Sequence, residues 1–295
     1  MPTNFPWCDF AARWVLPLLG LISFALAGAA PIAAYGQLEL ITNKEAQCVF
    51  AGDAQKISIV WHNPGDNTMD ADIRMRLLQT SSATTVRLGE TPWKTLHILP
   101  RQTVLESAQL DFPAVEAETK FLVQWLVNSN SVVGRTEVRV YPTNLLDELK
   151  LLVDEGGKNL GVLDPKNQIK PALKSSAVKF ADLAETGLDD FSGRLAIIGP
   201  CGPDDPEWNN LANRISKLAE KGTPVVWIQS PPPRRAGIWP SFWTVPKNQA
   251  VVVVARPELV AALPDNPQSQ LNLIYFCRLA LNPTPPALPD LSPQP

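Results

Sequence analysis

Few residues in this chain have the means to do chemistry. One is Cys201, in Gly199-Pro200-Cys201-Gly202. A thiol attacks as its thiolate, so Cys201 needs a histidine to take its proton and an acid to orient that histidine. The chain has two histidines, His62 and His97, and none follows them. Serine-hydrolase chemistry meets the same shortage, and no Gly-x-Ser-x-Gly elbow occurs. A Ser–Lys pair stays open on residue counts alone. Paired carboxylates for glycoside hydrolysis can come from distant positions, and Asp164, Asp182, Asp204 and Glu207 are the candidates. Acids at helix starts are also expected there for capping and dipole reasons. Gly156-Gly157 precedes a strand, so it reads as a helix stop and not as a phosphate-binding turn. Zinc would need clustered His and Cys ligands, which the spacing does not supply. Asp70 with Asp72, or Asp204 with Asp205, has the oxygens for calcium, but turn solvation and capping account for both pairs. These residues predict no catalytic set, no cofactor and no metal.

Binding is better represented. Ser230 to Pro246 carries prolines together with Arg234, Arg235, Trp239, Phe242 and Trp243, and reads as one stiffened loop after a strand. Indole faces and guanidinium groups suit sugars or peptide ends, which makes Arg234, Arg235, Trp239 and Trp243 the expected ligand-binding residues. The competing expectation buries Trp239 and Trp243 beneath the loop, fixing it to the sheet edge or to a neighbouring domain.

Charge excludes one class of partner. Twenty-six Lys and Arg against 29 Asp and Glu give a net charge of −3, and the basic residues are scattered. Nucleic-acid binding needs a concentrated basic surface, so it is not expected. Residues 1–36 carry weak positive charge at Arg13, an apolar run from Val15 to Ala30, and the small-residue stretch Ala33-Ala34-Tyr35-Gly36. That is the plan of a secretory signal peptide, with Gln37 first after cleavage. An uncleaved anchor is the alternative, since Val15 to Ala34 is about the length of apolar chain needed to span a bilayer. Membrane contact is therefore expected only through this segment, and the location is exported, periplasmic or extracellular. Cys8 precedes the apolar run, so a lipoprotein anchor is not indicated. Cys48, Cys201 and Cys277 follow it; a Cys201–Cys277 bridge and buried thiols both remain open.

The elements that would position these groups fall into two parts. Over 37–141 apolar residues alternate, as in Ile57, Ile59 and Trp61, then Ile73, Met75 and Leu77. Further runs lie at 96–99, 104–110, 121–127 and 132–140, divided by turn residues such as Asn63-Pro64-Gly65-Asp66-Asn67. Period two over seven or eight short runs predicts an antiparallel β-sandwich. This pattern resembles the immunoglobulin-like sandwiches of exported bacterial proteins, with Trp125 as the core aromatic. The resemblance implies a part that positions or binds something.

At Tyr141-Pro142-Thr143-Asn144 the period changes to helical, with Leu145, Leu149, Leu152 and Val153. Over 142–281, apolar runs at 160–163, 178–180, 195–198, 225–228 and 251–254 alternate with helical stretches, predicting an α/β parallel-sheet domain. The clearest helix starts at Asp205-Pro206-Glu207, buries Trp208, Leu211, Ile215 and Leu218, and stops at Lys221-Gly222. A last helix spans 268–281, before a Pro-rich tail, 282–295, read as disordered. A cysteine after a central strand and before a helix resembles the nucleophile turn of class I glutamine amidotransferase-like domains of flavodoxin-like type. That resemblance implies a nucleophile at Cys201, but prolines 200 and 203 flank it and no histidine follows, so a degenerate domain is implied. The expected function is a non-catalytic cell-envelope binding or assembly protein whose partner is a glycan or an envelope protein. The alternatives are a glycan-acting hydrolase and a structural subunit of an envelope complex.

Overall fold

The computed structural model describes residues 38–41, 45–127, 131–153, 159–201, 208–230, 240–247 and 250–283. Alternating apolar residues form eight strands over the first part: β1 Glu39–Ile41, β2 Gln47–Phe50, β3 Gly52–His62, β4 Met69–Thr80, β5 Thr85–Ile98, β6 Thr103–Phe112, β7 Thr119–Val127 and β8 Ser131–Tyr141. They make one sheet in the order β1-β3-β6 and a second in the order β2-β8-β7-β4-β5. All pairs are antiparallel except β2 with β8. Side chains of successive residues point to opposite faces, so one face of each sheet is apolar. Ile57, Ile59 and Trp61 of β3 thus meet Ile73, Phe121, Val123 and Trp125 of the other sheet in one buried core. Trp125 takes the central place expected of it: it is fully buried, and its Nε1 donates to Thr136 Oγ1 at 2.9 Å.

The second part begins with α1, Asp147–Val153, entered by a turn in which the Asp147 amide donates to the Asn144 carbonyl. It continues with β9 Leu160–Leu163, α2 Lys170–Ser175, β10 Ala181–Asp182, α3 Leu183–Thr186, β11 Leu195–Cys201, α4 Trp208–Glu220, β12 Val225–Gln229, β13 Phe242–Pro246, β14 Val251–Ala255 and α5 Pro267–Leu281. The sheet order is β10-β9-β11-β12-β14-β13, parallel throughout except at the edge strand β13. Both faces are covered, as a parallel sheet requires. Leu195, Ile197, Val226 and Val253 pack with α1, α2 and α5, while Ala196, Ile198, Val225 and Val252 pack with α3 and α4. Ile215 and Leu218 of α4 are buried as predicted, and Gly222 ends that helix region at φ 99°.

The structure differs from the sequence reading in three places. The apolar run 178–180 is not a strand; the two-residue β10 follows it at 181–182. The stretch 230–246 is not one loop, because Phe242–Pro246 pairs antiparallel with β14 through Phe242↔Ala255 to Pro246↔Val251. β11 does not end at Ile198; it runs to Cys201 through a register shift. Of the two alternatives for Cys201 and Cys277, the structure has buried free thiols, which sit in the cores on opposite faces of the sheet. The signal segment 1–36, the helix start at Asp205-Pro206-Glu207 and the tail from residue 284 lie outside the described residues.

The two parts meet within one compact unit, 36–295. Cys48 Sγ of β2 lies 3.8 Å from Gln268 Oε1 at the start of α5. Among the described residues no helix is long and apolar enough to cross a membrane.

Candidate functional site

Ligands of open parallel sheets bind outside the carboxyl ends of the strands, where the strand order reverses. Here that point lies between β9 and β11, both of which start the sheet order outward in opposite directions. Asp164 follows β9, and Gly199-Pro200-Cys201 closes β11.

Asp164 is buried, and Oδ2 accepts the amides of Ile169 at 2.6 Å and Lys170 at 2.9 Å. A carboxylate is thereby spent on the otherwise orphaned amides at the start of α2. Its Oδ1 is also buried and has no hydrogen-bond partner among the described residues. It lies so close to Gly199 that a Cβ there would stand 2.7 Å from Oδ1. Asp182 is likewise engaged. Oδ1 accepts the Ala184 amide and caps α3, and Oδ2 meets Lys170 Nζ at 2.6 Å. The hydrogen bond from Lys170 holds the Asp182 carboxyl below the usual carboxylate range.

Cys201 is turned away from this edge. The register shift between Ile198 and Cys201 sets its side chain on the α4 face, where Trp227 Nε1 donates to Sγ at 3.1 Å. Both histidines lie on the sandwich. His97 Nδ1 meets Asp70 Oδ1 at 2.6 Å, and His62 Nδ1 meets Thr103 Oγ1 at 3.0 Å. Asp72, the partner of Asp70 in the calcium alternative, accepts the Thr95 hydroxyl at 2.6 Å. Among the described residues no three metal-ligating side chains converge.

Of the four residues expected to bind a ligand, Arg234, Arg235 and Trp239 lie outside the described residues, as do Asp204, Asp205 and Glu207. Trp243 is in β13, partly buried against the core beneath α4.

A different aromatic group stands at the open edge of the sandwich. β5 and β6 are the edge strands of the two sheets there, and Lys94 Nζ bridges them by reaching both Glu106 oxygens at 2.9 Å. Ile73 pairs with Lys94 and Arg74 with Pro92, so Trp93 is the extra residue of a β-bulge. The bulge turns the Trp93 ring inward onto Trp61, with centroids 6.4 Å apart and planes 27° apart, and against Trp125 at 5.2 Å and 60°. Trp93 remains half-buried and lines a cleft of about 640 Å³ with Asp72, Arg74, Pro92, Lys94 and Thr95. The sequence reading missed Trp93. Counting inward by twos from Ile98 and Leu96 reaches Lys94, so Trp93 falls on the wrong phase, and the irregular Pro92-Trp93 was the available sign of a bulge.

No family model matches the chain, and no curated protein matches it. Among solved structures, it is similar over 36% of its length to the alkylpurine DNA glycosylase AlkC of Pseudomonas fluorescens, at 10% identity, TM-score 0.28 and 31% of that chain. It is similar over 36% to a β-glucosidase from Listeria innocua, at 14% identity, TM-score 0.27 and 16% of that chain. A GH3 β-glucosidase from Bifidobacterium adolescentis gives 36% coverage, 10% identity, TM-score 0.26 and 17% of that chain. The chain spans less than a third of each of these proteins. Similarity this slight says nothing of activity.

Proposed function

We propose that this chain is a non-catalytic, exported binding protein of the cell envelope that takes a carbohydrate as ligand. The observation that carries the first half is the commitment of the groups at the sheet's switch point. Asp164 caps α2, Asp182 caps α3 and pairs with Lys170, and Cys201 is buried beneath Trp227. General acid–base or nucleophilic work needs such groups within reach of a substrate and of one another's protons. Here they hold helices to strands. The order β10-β9-β11-β12-β14, which among the parallel strands alone is second, first, third, fourth, fifth, supports reading the second part as flavodoxin-like and as a degenerate relative of class I amidotransferase-like domains. The facing sheets of the first part, closed around Trp125, support an immunoglobulin-like reading. The apolar segment near the N-terminus supports export.

The test is a binding and turnover assay on the same material. The chain is mixed with insoluble cell-wall polysaccharide, and both the bound protein and the reducing ends released are measured, beside ammonia released from glutamine. Retention on the polysaccharide without sugar or ammonia release is expected. Turnover that disappears in Cys201→Ala or Asp182→Asn would sink the non-catalytic reading. Failure to bind any polysaccharide would sink the carbohydrate reading.

A further inference from the structure

We infer that the cleft at the open edge of the sandwich is a saccharide site, with Trp93 as its stacking platform. The inference rests on the carbohydrate-binding reading and moves the site from the 230–246 stretch to β4 and β5.

The chemistry of the cleft selects the ligand class. Its floor is an indole whose orientation is set by Trp61 and Trp125, so the ring loses little freedom when a second flat group stacks on it. Around it stand the Asp72 carboxylate, one oxygen of which accepts the Thr95 hydroxyl at 2.6 Å, and donors on Arg74 and Lys94. Both cations already have carboxylate partners, Arg74 Nε on Glu90 at 3.1 Å and Lys94 Nζ on Glu106 at 2.9 Å. A bare anion would compete with Glu90 and Glu106 for them. A neutral ring bearing hydroxyls asks for no such exchange. It offers apolar C–H groups to the indole face and hydroxyls that donate to Asp72 or to Thr95 Oγ1 and accept from Lys94. The volume of about 640 Å³ falls in the range of small-molecule sites and accommodates more than one pyranose ring.

One further observation bears on this place. A bulge re-aims one side chain at the expense of ladder regularity, and here it brings the largest residue of β5 into the lining of the cleft.

The experiment is an isothermal titration of the full chain with neutral glucose, mannose and N-acetylglucosamine hexasaccharides. It compares wild type, Trp93→Ala, Trp93→Phe, the rim double variant Asp72→Asn/Thr95→Ala, and Trp239→Ala/Trp243→Ala. Trp93→Ala is expected to weaken binding about tenfold or more, and Trp93→Phe to retain most of it, because a smaller flat ring remains. The rim variant touches exposed residues outside the core, so an unchanged melting temperature with binding weakened several-fold separates recognition from folding. Wild-type affinity in the rim variant and in folded Trp93→Ala would overturn this site. If binding were then lost in Trp239→Ala/Trp243→Ala, the carbohydrate reading would stand with its site elsewhere. No binding by wild type would remove the reading itself, and this site with it.

Discussion

Gly199 and Asp164 illustrate how closely β9 and β11 are fitted where they end. A Cβ on residue 199 would meet Asp164 Oδ1 at 2.7 Å and the Asp164 Cα at 3.0 Å. The second neighbour is backbone and cannot turn aside. Gly199→Ala is therefore expected to destabilise the chain by about 1–3 kcal/mol in urea denaturation, whereas an unchanged midpoint would mean that the strand ends part freely. Lys170 and Asp182 make a second residue-scale case, with side chains 11% and 27% exposed. The Asp182 pKa is depressed by the Lys170 hydrogen bond, so its contribution is present above the unfolded carboxylate pKa and is lost as pH falls through the folded value. Asp182→Asn is expected to cost roughly 1 kcal/mol at neutral pH, with the difference from wild type shrinking below about pH 4. Denaturant midpoints at pH 7 and pH 3 check it; a gap of the same size at both would assign the loss to something other than the ion pair.

At the scale of elements, α5 ties several parts of the α/β layer together. Leu273, Ile274, Phe276 and Cys277 enter the core, and Arg278 pairs with Glu148 of α1. Its start is fixed by Asn266, whose Oδ1 accepts the amides of Gln268 at 3.0 Å and Ser269 at 3.4 Å, followed by Pro267 at the first helical position. Asn266→Ala is expected to lower stability by about 1 kcal/mol, read from the thermal or urea midpoint, while Asn266→Asp should retain most of it. The bulge of β5 is the corresponding device in the sandwich. A strict alternation through Leu96 and Ile98 would send Trp93 into solvent, and the inserted residue returns it to the core side.

For the whole molecule, the packing order of the three thiols after residue 37 is a direct probe. Cys277 is fully buried, and burial raises its pKa well above the ordinary thiol value. Cys201 is buried beneath Trp227. Cys48 is half-buried where the sandwich meets α5, and burial raises its pKa also. In a Cys8→Ser chain, a thiol reagent is expected to modify Cys48 alone in the native state, faster as pH rises and thiolate forms, and the other two only on unfolding. Native modification of Cys201 at a comparable rate would contradict its placement under α4 and reopen the question of a reactive thiol at the sheet edge.

Residue order alone places most strands and the principal helices, because burial on one face imposes a period of two on strands and 3.6 on helices, and both are written directly in residues such as Ile57, Ile59 and Trp61 or Ile215 and Leu218. It also determined that histidine is missing from the second part, which any thiol or serine mechanism there must answer. What the candidate groups touch depends on how the chain folds. Asp164 and Asp182 look alike in the chain as catalytic acids and as helix caps; the amides of Ile169 and Ala184, brought to them by folding, make them caps. Cys201 could face either side of the sheet until a register shift set it beneath α4, and β13 became a strand because β14 offered an unpaired edge. Trp93 was illegible for the same reason: its direction depends on one inserted residue relative to a partner strand, and a partner's register is a property of the fold and not of the segment.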